Sequence, residues 1–249
     1  MIRSPLAAQF MLSPNIEPRR NNVKPDMVIL HYTGMDDAER ACSWLCNPVS
    51  KVSCHYLVDE KGMITQIVDE SMRAWHAGVS SWKGAGDINS HSIGIEIQNP
   101  GHSNGYPDFP MVQMKSVVRL CNDILSRNDI RPERILAHSD IAPMRKIDPG
   151  EKFDWQLLHA EGIGHWVVPE PIVGGPMLKQ GDTGEEVTEF QKQLRLYGYG
   201  VAITGRYDAL TKSQVQGFQR HFRPERVDGI ADVSTITTLQ KLLEALPSA

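Results

Sequence analysis

Short apolar runs divided by polar turns dominate the first two-thirds of the chain and predict a series of β-strands. Met27–Tyr32 is a continuous apolar run of strand length, which is typical of a strand buried on both faces. Residues 92–98 alternate and place three isoleucines on one face. Residues 53–59 and 63–68 are separated by a turn that contains glycine, which indicates a β-hairpin. Residues 134–138 add a further short strand, and together these predicted strands are enough to form a central sheet.

Helical patterns lie between these strands. Apolar residues recur with the helical period over residues 110–128, and a proline opens that segment. Asp36 can cap a shorter helix that runs to Leu45. Residues 27–165 are therefore predicted to form an α/β (α+β) domain in which helices flank a mixed central sheet. Residues 1–26 are rich in Pro, Asn and Arg and are predicted to form an arm over its surface.

The last third of the chain has a different pattern. Proline and glycine cluster over residues 166–176, which predicts a linker. Beyond the linker, a turn followed by a helix recurs after 24 residues, and Asp208 and Asp232 occupy the capping position of the two copies. With a first helix over residues 185–197, residues 177–249 are predicted to form a small all-α three-helix domain.

Composition excludes several classes of protein. The hydrophobic fraction of 41% and the charged fraction of 22% are ordinary for a globular chain of 249 residues. The net charge is −4 and no block of Lys or Arg is present, so nucleic acid is not an expected partner. No apolar run is long enough for a transmembrane segment. The apolar patch near the N-terminus is interrupted by Gln9, so no export signal is expected.

The four cysteines, Cys42, Cys46, Cys54 and Cys121, all fall inside predicted helices or strands. Cys42 and Cys46 are four residues apart on one helical face, where apolar packing is a simpler interpretation than a disulfide. We therefore expect free and mostly buried thiols.

Two of the predicted strands end on a histidine, His31 and His138, and Asp148 lies on the loop that follows the second. Hydrolytic zinc sites take three protein ligands from such residue types and leave one position open. Zinc there would polarise a carbonyl and lower the pKa of bound water toward about 7. Glu96, near the end of a neighbouring strand, could move a proton between water and a leaving nitrogen, and Lys146 could stabilise a developing oxyanion.

Each of these residues also has an ordinary structural interpretation. A single histidine such as His31 is more often a hydrogen-bonded core or surface group than a ligand. Glu96 could pair with a basic side chain at the edge of the sheet, and Lys146 could simply be solvated. Residue types and spacing leave both interpretations of the site open.

Five ordered motifs resemble those of the zinc-dependent N-acetylmuramoyl-L-alanine amidases of the AmpD and AmiD group, which are related to phage T7-type amidases and to peptidoglycan recognition proteins. The motifs are Val28-Ile29-Leu30-His31, Val52-Ser53-Cys54-His55-Tyr56-Leu57-Val58, Arg73-Ala74-Trp75-His76-Ala77-Gly78, Ser92-Ile93-Gly94-Ile95-Glu96 and His138-Ser139-Asp140-Ile141-Ala142-Pro143-Met144-Arg145-Lys146-Ile147-Asp148-Pro149-Gly150.

The resemblance implies a role for each candidate residue. His31, His138 and Asp148 would hold Zn²⁺, Glu96 would be the catalytic acid and base, and Lys146 would assist at the tetrahedral intermediate. It further implies that Arg73, Trp75 and His76 line the groove that receives muramic acid and the stem peptide, with Arg73 a partner for a peptide carboxylate.

Residues 177–246 are similar to a three-helix peptidoglycan-binding module. The similarity rests on Leu178-Lys179-Gln180-Gly181-Asp182-Thr183-Gly184-Glu185-Glu186-Val187, on Phe190-Gln191 and on Phe218-Gln219. Peptidoglycan or muropeptides are therefore the implied partner. A wall-binding module favours the bacterial cell envelope, the periplasm, whereas the lack of a visible signal peptide leaves the cytoplasm open. The sequence makes no prediction of the oligomeric state.

The two resemblances together imply an enzyme of cell-wall turnover or recycling. It would hydrolyse the amide between N-acetylmuramic acid, or its 1,6-anhydro form, and the L-alanine of the stem peptide. One alternative is a non-catalytic peptidoglycan-binding or sensing protein, which would be expected to lack a zinc ligand. Another is a metallopeptidase that cleaves within the stem peptide.

Overall fold

A computed structural model describes residues 2–247. The strands are β1 (Gln9–Phe10), β2 (Ile16–Pro18), β3 (Met27–Tyr32), β4 (Tyr56–Val58), β5 (Ile64–Gln66), β6 (Met72–Ala74), β7 (Ser92–Ile97) and β8 (Ile135–Ala137). The helices are α1 (Ala38–Leu45), α2 (Ile88–His91), α3 (Met111–Leu125), α4 (His138–Ile141), α5 (Trp155–Ala160), α6 (Glu185–Tyr197), α7 (Ala209–Phe222) and α8 (Val233–Glu244). This is the mixed sheet with flanking helices and the helical C-terminal region that the sequence predicts.

The main sheet has six strands in the order β1-β5-β4-β7-β3-β8. β3 lies between β7 and β8, and both of these neighbours run parallel to it. The predicted hairpin forms between β4 and β5, which are antiparallel. Because the carboxyl ends of β3, β7 and β8 meet at one edge of the sheet, the residues that end these strands are brought together there.

β3 is apolar from Met27 to Leu30, which matches the burial of both of its faces. Val28 and Leu30 join one buried cluster with the inner face of α3. Met27 and Ile29 join a second cluster that also contains buried residues of α6, α7 and α8. The C-terminal helices therefore complete the core on the second face of the central strand.

The N-terminal segment is more integrated than a surface arm. β1 extends the main sheet beside β5, and β2 pairs with β6 in a separate two-stranded sheet. Arg19 is buried and donates hydrogen bonds to backbone carbonyls that include those of Glu70 and Ser90. These short strands lack hydrophobic alternation, so the sequence pattern could not indicate them. β6 and α2 likewise lie within residues 69–91, where the hydrophobic pattern indicates neither a strand nor a helix.

Helix boundaries follow the predicted capping residues closely. α6 spans the predicted range, and the side chains of Asp208 and Asp232 cap α7 and α8 by accepting from Thr211 N and Thr235 N. The cap of α1 is Asp37 rather than the predicted Asp36, whose carboxylate instead pairs with Arg40. All four cysteines are free, as expected. Within residues 2–247, no helix has the length and apolar character needed to cross a membrane.

Candidate metal centre and active site

The sheet edge places His31 and Glu96 side by side. The two residues are register partners near the ends of the parallel strands β3 and β7. On the other side of β3, Ala137 pairs with Leu30 and ends β8, so His138 follows at the same edge as the first residue of α4. Asp148 returns to this edge, where its carbonyl accepts a hydrogen bond of 3.0 Å from Ser139 N.

His31, His138 and Asp148 form one tight cluster. The Nδ1 atoms of the two histidines are 2.9 Å apart, and Asp148 Oδ2 lies 3.1 Å from His31 Nδ1 and 2.9 Å from His138 Nδ1. All three residues are buried. Within residues 2–247, this is the one group of three such side chains whose ligand atoms all lie within 4.8 Å. Two imidazole nitrogens and one carboxylate oxygen are a donor set that suits a divalent transition metal.

A chain of hydrogen bonds behind His31 sets the tautomer of its ring. The Ser92 hydroxyl donates to Ile88 O at 2.7 Å, so the Ser92 oxygen can accept from His76 Nε2 at 3.2 Å. His76 Nδ1 is then the acceptor for His31 Nε2–H at 3.0 Å. This assignment leaves the lone pair of His31 Nδ1 directed into the cluster, as a metal ligand requires.

The loop that follows β6 and contains His76 also orients His138. Its Nε2 donates to the carbonyl of Ala77 at 3.2 Å, which leaves Nδ1 free to act as a ligand. Asn89 Oδ1 holds the loop by accepting from the backbone N–H groups of His76 and Ala77. Gly94 makes room for the arrangement, since a Cβ there would lie 2.6 Å from the His76 ring. His76 therefore supports the cluster of His31, His138 and Asp148 from behind, and it also contributes to the wall of the adjacent cleft.

The pKa values of His31 and Asp148 are shifted in the directions that favour the protonation states of metal ligands. Burial, together with the nearby His138, lowers the pKa of His31 to about 4. Burial opposes ionisation of Asp148, but its interactions with the adjacent His138 and His31 rings outweigh burial and hold the pKa of Asp148 well below its ordinary value. At neutral pH, His31 is thus a neutral imidazole and Asp148 a carboxylate.

Glu96 lines the cleft into which the cluster opens, and one of its carboxylate oxygens is unpaired. Its Oε2 atom is buried and has no hydrogen-bond partner within the described residues. Burial, and next the charge of Asp148, raise the pKa of Glu96 well above its ordinary value, while Lys146 opposes the shift. A carboxyl group of this kind keeps its proton more readily than an exposed glutamate does, and it can release that proton to a basic atom.

The cluster opens into a cleft of about 420 Å³. Its walls include Lys146 from the loop before Asp148, Trp75, and Trp44 on α1. Trp75 Nε1 is buried without a partner in the described structure, whereas 46% of Trp44 is exposed. Sequence reasoning missed Trp44; the available signal was a large aromatic residue on the otherwise polar face of a helix.

Arg73 lies apart from the cleft. Its guanidinium pairs with Asp87 at 2.7 Å and with Glu17 of β2. The side chain is buried and does not line the cleft wall. Its contacts join the N-terminal segment to the loop between β6 and β7.

Comparison with known proteins agrees with this geometry. The model of the N-acetylmuramoyl-L-alanine amidase family matches residues 21–151, which include the cluster, Glu96 and Lys146. The chain belongs to the N-acetylmuramoyl-L-alanine amidases. A second model, that of a peptidoglycan-binding domain, matches residues 183–244, the region of α6 to α8. The protein is thus an amidase of the AmiD and AmpD type that carries a C-terminal peptidoglycan-binding domain.

One relative is similar to this amidase over most of the chain, and another over little more than half of it. AmiD of Escherichia coli is 36% identical over 233 residues, which are 88% of this chain and 82% of the relative. The 1,6-anhydro-N-acetylmuramyl-L-alanine amidase AmpD of Haemophilus influenzae is 46% identical over 162 residues, 58% of this chain and 86% of the relative.

Two solved structures resemble the amidase over almost its whole length. Escherichia coli AmiD, in complex with the substrate anhydro-N-acetylmuramic acid-L-Ala-D-γ-Glu-L-Lys, has a TM-score of 0.76 and 34% identity, with 92% of each chain covered. Pseudomonas aeruginosa AmpDh3, in complex with anhydromuramic pentapeptide, also has a TM-score of 0.76, at 30% identity over 93% of this chain and 96% of that one.

Proposed function

We propose that this amidase is zinc-dependent and that it cleaves the amide between the lactyl group of N-acetylmuramic acid, or its 1,6-anhydro form, and L-alanine. The observation that carries the proposal is the convergence of His31 Nδ1, His138 Nδ1 and Asp148 Oδ2 within 3.1 Å of one another beside Glu96. A zinc ion held by these donors would supply Lewis-acid polarisation of the scissile carbonyl and a more acidic water.

Glu96 is the proposed catalytic acid and base. Its unpaired Oε2 accepts a proton as water attacks the carbonyl carbon, and the same oxygen delivers that proton to the departing nitrogen of L-alanine. The raised pKa of Glu96 supports this second step, because the carboxyl group retains the proton until the nitrogen becomes basic. Water forms the new C–O bond, the C–N bond breaks, and a lactyl carboxylic acid and a free peptide amine result; the acid then releases its proton to solvent.

Lys146 is the proposed electrostatic partner of the developing oxyanion. We expect Lys146→Met to lower kcat by about 10²- to 10³-fold with little change in KM, since the ammonium acts mainly in the transition state. Steady-state kinetics on a soluble anhydro-muropeptide would measure this. Lys152→Met is a matched control, because Lys152 pairs with Asp108 and lies outside the cleft wall. Equal losses in both variants would remove Lys146 from the mechanism.

His76 is the proposed support of the ligand His31. We expect His76→Phe to weaken zinc binding by about 10- to 100-fold, because the acceptor for His31 Nε2–H is lost while ring volume is largely kept. Competition with a chromogenic chelator would measure the affinity. Ser92→Ala should have a smaller effect, since it removes only the group that orients His76. Unchanged affinity in His76→Phe would instead favour the role in substrate binding that the sequence resemblance implies.

Trp44 and Trp75 are the proposed contacts for the muramic acid and the peptide. Both line the cleft, the exposed Trp44 at its rim and Trp75 with an indole N–H that has no partner among the described residues. An indole face packs well against a sugar ring, and its N–H can donate to a ligand oxygen. Arg73 does not support the proposed carboxylate contact, because two protein carboxylates already engage it.

We further propose that the enzyme works in the cell envelope. The peptidoglycan-binding domain and the similarity to AmiD support that location. The two similar structures hold anhydro-muropeptides, which supports products of wall breakdown as one substrate class. Release of stem peptides from intact sacculi, compared with release from soluble anhydro-muropeptides, would test the preference; activity on the soluble form alone would argue against a wall substrate.

A further inference from the structure

Asp140, two residues after the ligand His138, is a buried carboxylate shared by the two parts of the molecule. Its Oδ2 accepts from Ala137 N at 2.8 Å, so the side chain closes the turn that presents His138. The same oxygen accepts from His221 Nδ1 at 2.7 Å, and Oδ1 accepts from the Tyr199 hydroxyl at 2.7 Å. Asp140 is 0% exposed, so it depends on these donors to offset the cost of burying its charge.

Both side-chain donors belong to the peptidoglycan-binding domain. His221 lies in the last turn of α7, and Tyr199 follows α6. The ring of His221 stacks on Trp155 of the catalytic domain, with centroids 3.6 Å apart and an interplanar angle of 23°. Tyr199 packs edge-on against the fully buried Trp82. Contacts with the catalytic domain thus orient both donors toward Asp140.

Glycines let the two domains approach closely around this network. A Cβ at Gly217 of α7 would lie 2.5 Å from the carbonyl oxygen of Ser139, the residue between His138 and Asp140. A Cβ at Gly198 would lie 2.5 Å from the Trp82 ring. The backbone of the peptidoglycan-binding domain therefore rests directly on the ligand turn, and the docking is a packed interface rather than a loose tether.

We propose that the peptidoglycan-binding domain completes the metal site, with Tyr199 and His221 as positioning residues that act through Asp140 on His138. Without the two donors, Ala137 N is the remaining partner of the buried carboxylate among these three, and one hydrogen bond is too little to hold the charge in place. The turn that fixes the direction of His138 Nδ1 then loosens. The proposal rests on the metal site of the proposed function and gives the C-terminal domain a role besides wall binding.

The test compares zinc affinity in full-length variants. We expect Tyr199→Phe with His221→Leu to weaken zinc binding by about tenfold or more in competition with a chromogenic chelator, in the range of other lost supports of metal ligands. Pelleting with purified sacculi should be unchanged. Restoring a donor with Tyr199→Phe and His221→Asn should recover most of the affinity, because the asparagine amide can replace Nδ1–H.

Tyr197→Phe is the matched control. Tyr197 is equally buried in the same interface, but its hydroxyl pairs with His165 at 2.8 Å rather than with Asp140. Tyr197→Phe should lower the melting temperature of the protein without changing its zinc affinity. Wild-type affinity in the double variant, or an equal loss in Tyr197→Phe, would overturn the proposal; if the double variant does not fold, Tyr199→Phe alone decides between these results. Wild-type protein that binds no zinc would instead refute the proposed metal site.

Discussion

Asp148→Asn should lose stoichiometric zinc and all measurable amidase turnover. The substitution keeps the shape of the side chain but removes the charge that His31 and His138 face at 3.1 Å and 2.9 Å. A neutral amide oxygen is a much weaker zinc ligand than a carboxylate, and two histidines alone do not form the three-ligand site of a zinc hydrolase. Metal content after gel filtration, measured beside activity, tests the expectation.

Asp154→Asn is the control for this experiment. Asp154 lies six residues further along the chain and caps α5, a position that asparagine fills equally well. It should retain one zinc ion per chain and full activity. Zinc retained at wild-type stoichiometry and affinity in Asp148→Asn would exclude Asp148 as a ligand. Loss of metal in both variants would point to a general disturbance of the loop.

Glu96→Gln should separate metal binding from chemistry. We expect zinc content to stay at one ion per chain while kcat falls by about 10²- to 10⁴-fold, the usual contribution of a general acid or base. Glutamine keeps the volume of the side chain but cannot carry the proton from water to nitrogen. Glu96 is also not one of the three clustered donors, so its replacement leaves the ligand set intact.

The pH profile adds a second readout for Glu96. Wild-type kcat should depend on a group whose pKa is raised by burial and by Asp148, and that dependence should disappear in Glu96→Gln. Glu60→Gln, at the exposed hairpin turn, should match the wild type in both rate and profile. Retained turnover in Glu96→Gln would transfer the proton step to another group.

The strand ends explain why so much of the site could be predicted from the sequence. β3 and β7 have clear hydrophobic patterns, and parallel strands bring their carboxyl ends to one edge. These patterns place His31 and Glu96 near the ends of their strands, and the pairing of β3 with β7 then makes the two residues neighbours. The capping aspartates of α7 and α8 were predictable for a similar reason, since a cap is set by the few residues around it.

Features that depend on distant packing could not be predicted. No local pattern reveals that His76 contacts His31 or that Arg73 pairs with Glu17, because the residues in each pair are 45 and 56 positions apart. The clustered proline and glycine of residues 166–176 predicted a linker before the C-terminal helices, yet these helices share a core with Met27 and Ile29 of the central strand. Apolar residues on α6 to α8 indicate burial but not the surface against which they pack.

Product analysis identifies the bond that the enzyme cleaves. Zinc-loaded protein is incubated with anhydro-N-acetylmuramyl tetrapeptide, and the products are identified by mass spectrometry. We expect anhydro-N-acetylmuramic acid with a free lactyl carboxylate and an intact peptide that begins with L-alanine, and no products after removal of the metal. A shortened peptide, with L-alanine still attached to the sugar, would show a peptidase instead. Unchanged substrate with zinc bound would show a binding protein, and either result would overturn the proposed amidase reaction.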